Sequence, residues 1–195
     1  MVERLDRRSP IVDLGCGRGF TLRFLSALGF SELLGVDFRI EWALRARQLA
    51  NMWRRRTLHP PYALRAGSIL ATRLPSAHYS MAVSISTIEH GVDLDAFLAE
   101  VSRLLKVHGR LFVTTDYWQE KIGTLGCNEA FGLPWRIFCS SEIPQLVESA
   151  GAHGLTLIER SDVPECSERT VCWENRDYTF IALAFEKTSL VRQSC

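Results

Sequence analysis

Residues 11–19 bring an acid, a cysteine and three glycines together in the order Ile-Val-Asp-Leu-Gly-Cys-Gly-Arg-Gly. The apolar lead into Asp13 predicts a buried strand, and glycines at alternate positions predict a tight turn after it. Such a turn lets a ligand lie against bare backbone, and the helix that follows directs its free N–H groups to the same spot. These residues therefore predict a site for a nucleotide-like ligand.

The spacing of the glycines separates two kinds of nucleotide site. A dinucleotide fingerprint has the pattern G-x-G-x-x-G/A, but the sixth position counted from Gly15 is Phe20. The pattern here is G-x-G-x-G, with an acid two residues before the first glycine. In this form it resembles motif I of the class I S-adenosylmethionine (SAM)-dependent methyltransferases.

The resemblance implies SAM as cofactor and S-adenosylhomocysteine as product. Asp37, 18 residues beyond Gly19, suits a carboxylate that accepts both ribose hydroxyls; a helix N-cap for 41–56 is its alternative role. Ser68 stands where the family commonly has an acid for the adenine amino group, with Ile69 as the apolar neighbour of the ring. The implied cofactor contacts are Asp13, Gly15, Cys16, Gly17, Gly19, Asp37, Phe38, Ser68, Ile69 and Ser86.

A second segment, 81–90, resembles the fourth strand and following loop of family members that methylate small molecules, where a Glu-His or similar pair follows the strand. In methyl transfer the protein mainly aligns the acceptor, and a hydroxyl acceptor gains from a base. His90 titrates near neutral pH and suits that base. Glu89 is expected to orient it or to contact the cofactor, and Asp116 to bind or deprotonate the acceptor. The alternatives are a polar pair that solvates or caps the next helix, and a turn role for Asp116.

Two other branches of the family fit the sequence less well. The adenine- and glutamine-N-methylating enzymes carry Asn/Asp-Pro-Pro-Tyr/Phe after strand four, where this chain has Ser-Thr-Ile-Glu at 86–89. The metal-dependent branch uses acids after strands four and five, and only Asp116 matches. The six cysteines contain no C-x-x-C pair. We therefore expect no metal ion.

Alternating apolar runs and amphipathic stretches predict a parallel sheet with helices on both faces. No helix separates the last two strands, so they can pair antiparallel at one edge. The sequence thus predicts an α/β, Rossmann-like, doubly wound, mostly parallel seven-stranded sheet with an antiparallel last strand. The predicted strands are 10–14, 33–37, 62–66, 79–86, 110–115, 155–160 and 178–185; the predicted helices are 18–29, 41–56, 94–105 with Asp93 as N-cap, and 141–150 with Gly151 as stop.

Two connections are longer than a compact α/β domain needs. We interpret 116–140, with Tyr117 and Trp118 as substrate-binding walls, as a substrate lid, and 161–177 as a second loop at the active edge; a cover over exposed core is the alternative. Residues 1–195 then form one domain. The first strand starts within about ten residues of Met1, so the two loops or the partner subunit of a homodimer would close the site.

Charge and hydropathy bound the partners. The net charge is +1, with a basic excess before residue 80 that peaks in the arginines between Arg45 and Arg56. We favour a solvated helix face over a nucleic-acid patch there, because no RNA-binding interleaving of aromatics and glycines accompanies it. With no bilayer-length apolar run and no signal peptide, a cytoplasmic location without a membrane partner is expected.

Together these residues predict a SAM-dependent methyltransferase acting on a small-molecule acceptor, with oxygen favoured over nitrogen. Two alternatives stay open. One is a binding module that holds SAM or another adenosine ligand without catalysis. The other is an RNA-directed methyltransferase that uses the basic face at Arg45 to Arg56.

Overall fold

The computed structural model describes residues 5–56, 60–127, 132–158 and 165–188. Within them, strands and helices alternate for most of the chain. The strands are β1 (Ile11–Leu14), β2 (Leu33–Asp37), β3 (Ala63–Ala66), β4 (Tyr79–Ile85), β5 (Leu105–Tyr117), β6 (Leu155–Leu157), β7 (Val171–Trp173) and β8 (Arg176–Lys187). The helices are α1 (Phe20–Ala27), α2 (Trp42–Arg55), α3 (Leu94–Leu104) and α4 (Glu142–Ala152).

The strands form one sheet in the order β3-β2-β1-β4-β5-β8-β6. Strands β1 to β5 pair in parallel, and β8 runs antiparallel to both β5 and β6. This confirms the predicted α/β sheet with its antiparallel last strand. The strand order reverses between β1 and β4, and in open α/β sheets ligands bind in the crevice at such a switch point.

An eighth strand lies where the sequence predicts only a loop. β7 pairs antiparallel with β8, and the two residues between them, Glu174 and Asn175, have φ of 50° and 56°. Positive φ at both central positions is the geometry of a type I′ hairpin turn. The turn lacks glycine, which is why the sequence pattern does not reveal it. Residues 161–164 of the predicted loop lie outside the described residues.

Two apolar clusters lie on opposite faces of the sheet, because neighbouring residues of a strand point to opposite sides. On β1, Val12 joins the cluster under α3 and α4, whereas Ile11 joins the cluster under α1. Asp93 caps α3 as predicted, its Oδ1 accepting from the N–H of Ala96 at 3.1 Å. Such a cap stabilises a helix by about 1 kcal/mol.

One predicted strand start and one predicted helix end are wrong. α3 ends at Leu104, within one residue of the predicted 105, but β5 begins at once at Leu105 and runs through Gly109, where the sequence predicts a strand only from 110. A Cβ on Gly109 would lie 2.8 Å from the carbonyl oxygen of Lys106, so close backbone approach requires the glycine. α4 continues past Gly151, because the left-handed position after the helix falls at Gly154, with φ 73°.

The segment that follows β5 folds back onto the end of that strand. The N–H of Trp118 donates to the carbonyl of Phe138 at 2.9 Å, and the N–H of Phe138 donates to the carbonyl of Asp116 at 3.0 Å. Trp135 and Ile137 are buried in the returning part. Residues 128–131 of the predicted lid lie outside the described residues. No helix in the described ranges is long and apolar enough to cross a bilayer.

Candidate functional site

The glycine turn joins β1 to α1 at the switch point of the sheet. Gly15, Gly17 and Gly19 have φ of 81°, 46° and 68°, a region that side chains rarely adopt. The N–H of Gly15 donates to the carbonyl of Val36 at 2.8 Å, which ties the turn to β2. Gly19 is the N-cap of α1, so the unpaired N–H groups of the first helical turn start here.

The glycines face different surroundings. A Cβ added to Gly15 would lie 2.4 Å from both Oγ1 and Cγ2 of Thr87, in the loop after β4. A Cβ added to Gly17 would meet nothing within 4 Å. Gly15 is therefore required by contact with the neighbouring loop, whereas Gly17 leaves an open cradle of bare backbone that a ligand could fill.

Two carboxylates lie beneath this cradle. Oδ2 of Asp37 accepts from the N–H of Gly17 at 2.8 Å, and Oδ1 accepts from the N–H of Arg39 at 3.2 Å. Asp13 is 1% exposed, and burial, followed by the charge of Asp37, raises its pKa to about 7. Its Oδ2 is buried with no hydrogen-bond partner among the described residues. The N-cap of α2 is Glu41, so the alternative role of Asp37 as that cap is wrong.

Cys16 points away from the cradle into the core under α1. Its side chain is 6% exposed, and its Sγ lies 2.7 Å from where a Cβ on Gly35 would be. Burial, with the charges of Asp13 and Asp37, raises the pKa of its thiol. Any contact from Cys16 to a ligand in the cradle would therefore come from its backbone.

The other predicted cofactor contacts lie along the same edge of the sheet. Phe38 is 58% exposed just after β2. Ser68 is exposed and accepts from the N–H of Leu70 through its Oγ at 3.1 Å, with Ile69 half-buried beside it. Ser86 has φ 48° and donates its N–H to the carbonyl of Thr114 at 3.2 Å.

A second pair of buried carboxyl groups follows β4 and ends β5. Glu89 is 1% exposed and accepts from the hydroxyl of Thr115 at 3.3 Å. Burial raises its pKa to about 8, and the charge of Asp116 adds to the effect. Asp116 is 5% exposed, accepts from the indole Nε1 of Trp135 at 2.8 Å, and is hydrogen-bonded by Tyr178; burial also raises its pKa.

Three further residues that the sequence assigns to the site, His90, Tyr117 and Trp118, differ in how deeply they are buried and in which direction they face. His90 is half-buried, and burial lowers the pKa of its imidazole, which favours the neutral, proton-accepting form. Tyr117 is fully buried under α3 and α4, on the face opposite to Asp116, so it presents no surface to the cleft. Trp118 is 7% exposed and donates its Nε1 to Glu120 at 2.8 Å, with Arg169 over its ring.

Trp135, Tyr178 and Thr87 complete the site, and sequence reasoning gave none of them a role there. Trp135 was visible only as one of several aromatics in the predicted lid, and Tyr178 only as a strand residue. They reach Asp116 because the lid folds back and β8 inserts beside β5, which are long-range contacts. The carboxyl edge of the sheet thus combines a glycine cradle with two pairs of buried carboxyl groups, one at the cradle and one after β4 and at the end of β5. In the described ranges, no three His, Cys, Asp or Glu side chains could share a metal ion.

Comparisons with known proteins place this geometry among known folds. A family model of a methyltransferase domain matches residues 12–113. The geranyl diphosphate C-methyltransferase of Streptomyces coelicolor A3(2), solved with S-adenosylhomocysteine, has a TM-score of 0.72 at 16% identity, covering 95% of this chain and 75% of that one. The 1,6-didemethyltoxoflavin-N1-methyltransferase of Burkholderia thailandensis, also solved with S-adenosylhomocysteine, has a TM-score of 0.65 at 23% identity, covering 94% and 72%.

A solved structure described as a cyclase, and not as a methyltransferase, is also similar to this chain. The 4+2 cyclase SpnF has a TM-score of 0.62 at 22% identity over 81% of this chain, which spans 56% of the cyclase. At these identities the likeness concerns the fold. No curated protein sequence matches this chain significantly.

Proposed function

The chain belongs to the methyltransferase domain family of SAM-dependent enzymes, and on that premise we propose that it methylates a small-molecule acceptor in the cleft beside Glu89 and Asp116. The observation that carries the proposal is the pair of buried carboxyl groups after β4 and at the end of β5, on the same edge of the sheet as the glycine cradle. Within the described residues neither carboxyl group forms a salt bridge. Their side-chain hydrogen-bond partners there are Thr115 for Glu89, and Trp135 and Tyr178 for Asp116. Buried carboxyls with raised pKa values at a sheet switch point are typical of functional sites.

The residues of the cradle fit an adenosyl ligand. Gly17 leaves bare backbone, and Asp37 can exchange its bond to the Gly17 N–H for the two ribose hydroxyls. The buried Oδ2 of Asp13 offers an acceptor at the floor of the same turn. We assign Phe38, Ser68 and Ile69, with Ser86 at the end of β4, to the adenine and methionine sides as the sequence predicts. When bound, SAM supplies an activated methyl group, so the protein's task is alignment.

The acceptor side supports an oxygen nucleophile. His90 has a lowered pKa and is neutral near pH 7, so it can take the proton of an acceptor hydroxyl. The carboxyl of Glu89, with a pKa of about 8, carries a proton over much of the same range and can donate a hydrogen bond to the acceptor. Asp116 is held by Trp135 and Tyr178, which suits it to fix the acceptor's orientation. We assign the walls of this pocket to the described parts of the predicted lid, 117–127 and 132–140, and to the described part of the second predicted loop, 165–177.

Cofactor binding and transfer can be tested separately. Isothermal titration with SAM and S-adenosylhomocysteine tests the cradle, and absence of binding to both would refute the cofactor assignment. Release of S-adenosylhomocysteine across a panel of phenols, alcohols and amines tests transfer. Glu89→Gln and Asp116→Asn should lower turnover by at least about tenfold while SAM affinity holds. Glu186→Gln, on an exposed ion pair with His108, is the matched control.

The same panel separates methylation from plain binding. Tight SAM binding without release of product from any acceptor would favour the non-catalytic module, as would full turnover in both carboxyl variants. Faster turnover of amines than of phenols and alcohols would overturn the oxygen assignment without affecting the cofactor assignment.

A further inference from the structure

The outer face of helix α2 carries an apolar stripe that no described residue covers. Trp42, Leu49 and Trp53 are 80%, 64% and 86% exposed. At 3.6 residues per turn, positions 42, 49 and 53 fall within an arc of about 40°. The three side chains therefore form one continuous ridge along the helix, which we call the α2 ridge.

The opposite face of α2 packs against the rest of the domain. Leu44 is 4% exposed and packs near Gly19, and Gln48 donates its Nε2 to the carbonyl of Tyr62 at 2.9 Å. Met52 is half-buried on the same side. The exposed side chains of the α2 ridge therefore contribute little to holding the fold together. Large apolar side chains exposed in a row mark interaction surfaces more often than scattered ones do.

The helix that carries the ridge is basic. From Trp42 to Arg55 it contains four arginines and no Asp or Glu. Exposed Arg45 lies about 60° around the helix from the middle of the ridge, and exposed Arg47 about 140° away on the other side. Arg56 is exposed at the C-cap. Glu41 before the helix forms an ion pair with Arg18 at 3.9 Å, which offsets its charge. The exposed part of α2 is therefore amphipathic, with a tryptophan-leucine ridge, Arg45 directly beside it and further positive charge elsewhere on the helix.

The sequence alone predicts a solvated face here and no membrane partner, but the exposed apolar ridge changes that expectation. We propose that the α2 outer face docks this protein onto anionic lipid bilayers, with the helix lying in the headgroup region. Tryptophan and leucine on one side and arginines beside them are the composition of interfacial helices, and arginines near the surface gain from the negative potential of anionic lipids. Charge complementarity selects this occupant. In a two-fold contact of α2 against α2, a second copy of the chain would bring together two helices that each carry four arginines and no Asp or Glu.

Docking in this way orients the cleft. α2 starts five residues after Asp37, at the carboxyl end of β2, and Phe38 is exposed between them. The cofactor edge of the sheet then lies beside the lipid surface. The inference does not depend on methyl transfer, since vesicle binding can be measured without SAM or acceptor.

The test uses the full chain and co-sedimentation with phosphatidylcholine vesicles with and without phosphatidylserine. We expect binding to the phosphatidylserine vesicles that weakens as salt rises. The pair Trp42→Ala and Trp53→Ala should weaken it at least about tenfold. Arg45→Gln, directly beside the ridge, should weaken it roughly fivefold, and Arg47→Gln, farther around the helix, should weaken it less. Trp173→Ala removes another exposed tryptophan, on β7, and should leave binding unchanged.

Thermal unfolding of each variant checks that the fold is kept, which the exposure of all these side chains predicts. Absence of sedimentation with phosphatidylserine vesicles would overturn the proposal, as would equal binding to pure phosphatidylcholine. Binding to single-stranded RNA, lost in the same variants and without vesicle binding, would assign the face to nucleic acid instead. A dimer abolished by the tryptophan pair, again without vesicle binding, would assign it to a second copy.

Discussion

Substituting alanine for Gly15 gives the sharpest test of how the cradle is built. Gly15 combines φ of 81° with a virtual Cβ only 2.4 Å from two atoms of Thr87. Gly17 also has positive φ, 46°, but its virtual Cβ meets nothing within 4 Å. The two glycines share the backbone penalty and differ in the steric one, so Gly17→Ala is a matched control.

The expected magnitudes follow from these contacts. A left-handed conformation costs a residue with a Cβ about 1–2 kcal/mol, and overpacking at a tight contact costs about 1–3 kcal/mol more. Gly15→Ala should therefore lower the free energy of unfolding by about 2–5 kcal/mol, and Gly17→Ala by about 1–2 kcal/mol. In a chain of this size, each kcal/mol shifts the melting temperature by about 2–4 °C. The two variants should melt several degrees apart.

Ligand affinity should follow the opposite order. The methyl group of Gly17→Ala enters the open cradle, so we expect S-adenosylhomocysteine to bind at least about tenfold more weakly, since even about 1.4 kcal/mol of lost contact gives that factor. Calorimetric titration on the folded variants, with urea denaturation of the same samples, measures both quantities. Combining Gly15→Ala with Thr87→Ala removes the two closest atoms and leaves Cβ at 3.0 Å.

The double variant should recover about 1–3 kcal/mol relative to the sum of the single variants, since the two residues touch. Thr87→Ala alone should cost about 1 kcal/mol, through the lost bond from its hydroxyl to the carbonyl of Ile85. Equal destabilisation by the two glycine variants would refute the steric argument. Strict additivity of Gly15→Ala and Thr87→Ala would do the same.

Three other buried side chains yield predictions. Because burial raises the pKa of Glu89 from 4.5 to about 8, the folded state keeps a proton between these pH values that the unfolded chain has released, so stability should fall as the pH rises through that range; Glu89→Gln should flatten that slope in denaturation curves. Trp135→Phe removes the donor to Asp116 and should cost about 1–3 kcal/mol in urea, with a further rise in the pKa of Asp116 by NMR titration. Lys187→Met removes a buried ammonium group that donates hydrogen bonds to the carbonyls of Ser102 and Leu105, and it should lower the melting temperature. Lys106→Met, at an exposed lysine, should not. Equal melting temperatures of the two variants would contradict this prediction.

Patterns among neighbouring residues predicted most of the strands and helices. The strand at 33–37 matches β2, and Asp93 caps α3, because apolar runs and capping residues act over a few neighbours. The early start of β5, which includes Gly109, and the continuation of α4 past Gly151 have a different origin. A glycine can stop a helix or simply allow close packing, and only the neighbouring backbone decides which.

Residue patterns were enough to locate the glycine cradle, the acid at Asp37 and the Glu-His pair after β4, because a strand, a tight turn and the next helix form one local unit. Tertiary structure alone decided what surrounds Asp116. Trp135 and Tyr178 reach that carboxyl from 19 and 62 positions away, through a returning loop and an inserted strand. The burial that raises the pKa of Glu89 and removes Tyr117 from the cleft likewise comes from packing of distant segments, which no short pattern of residues encodes.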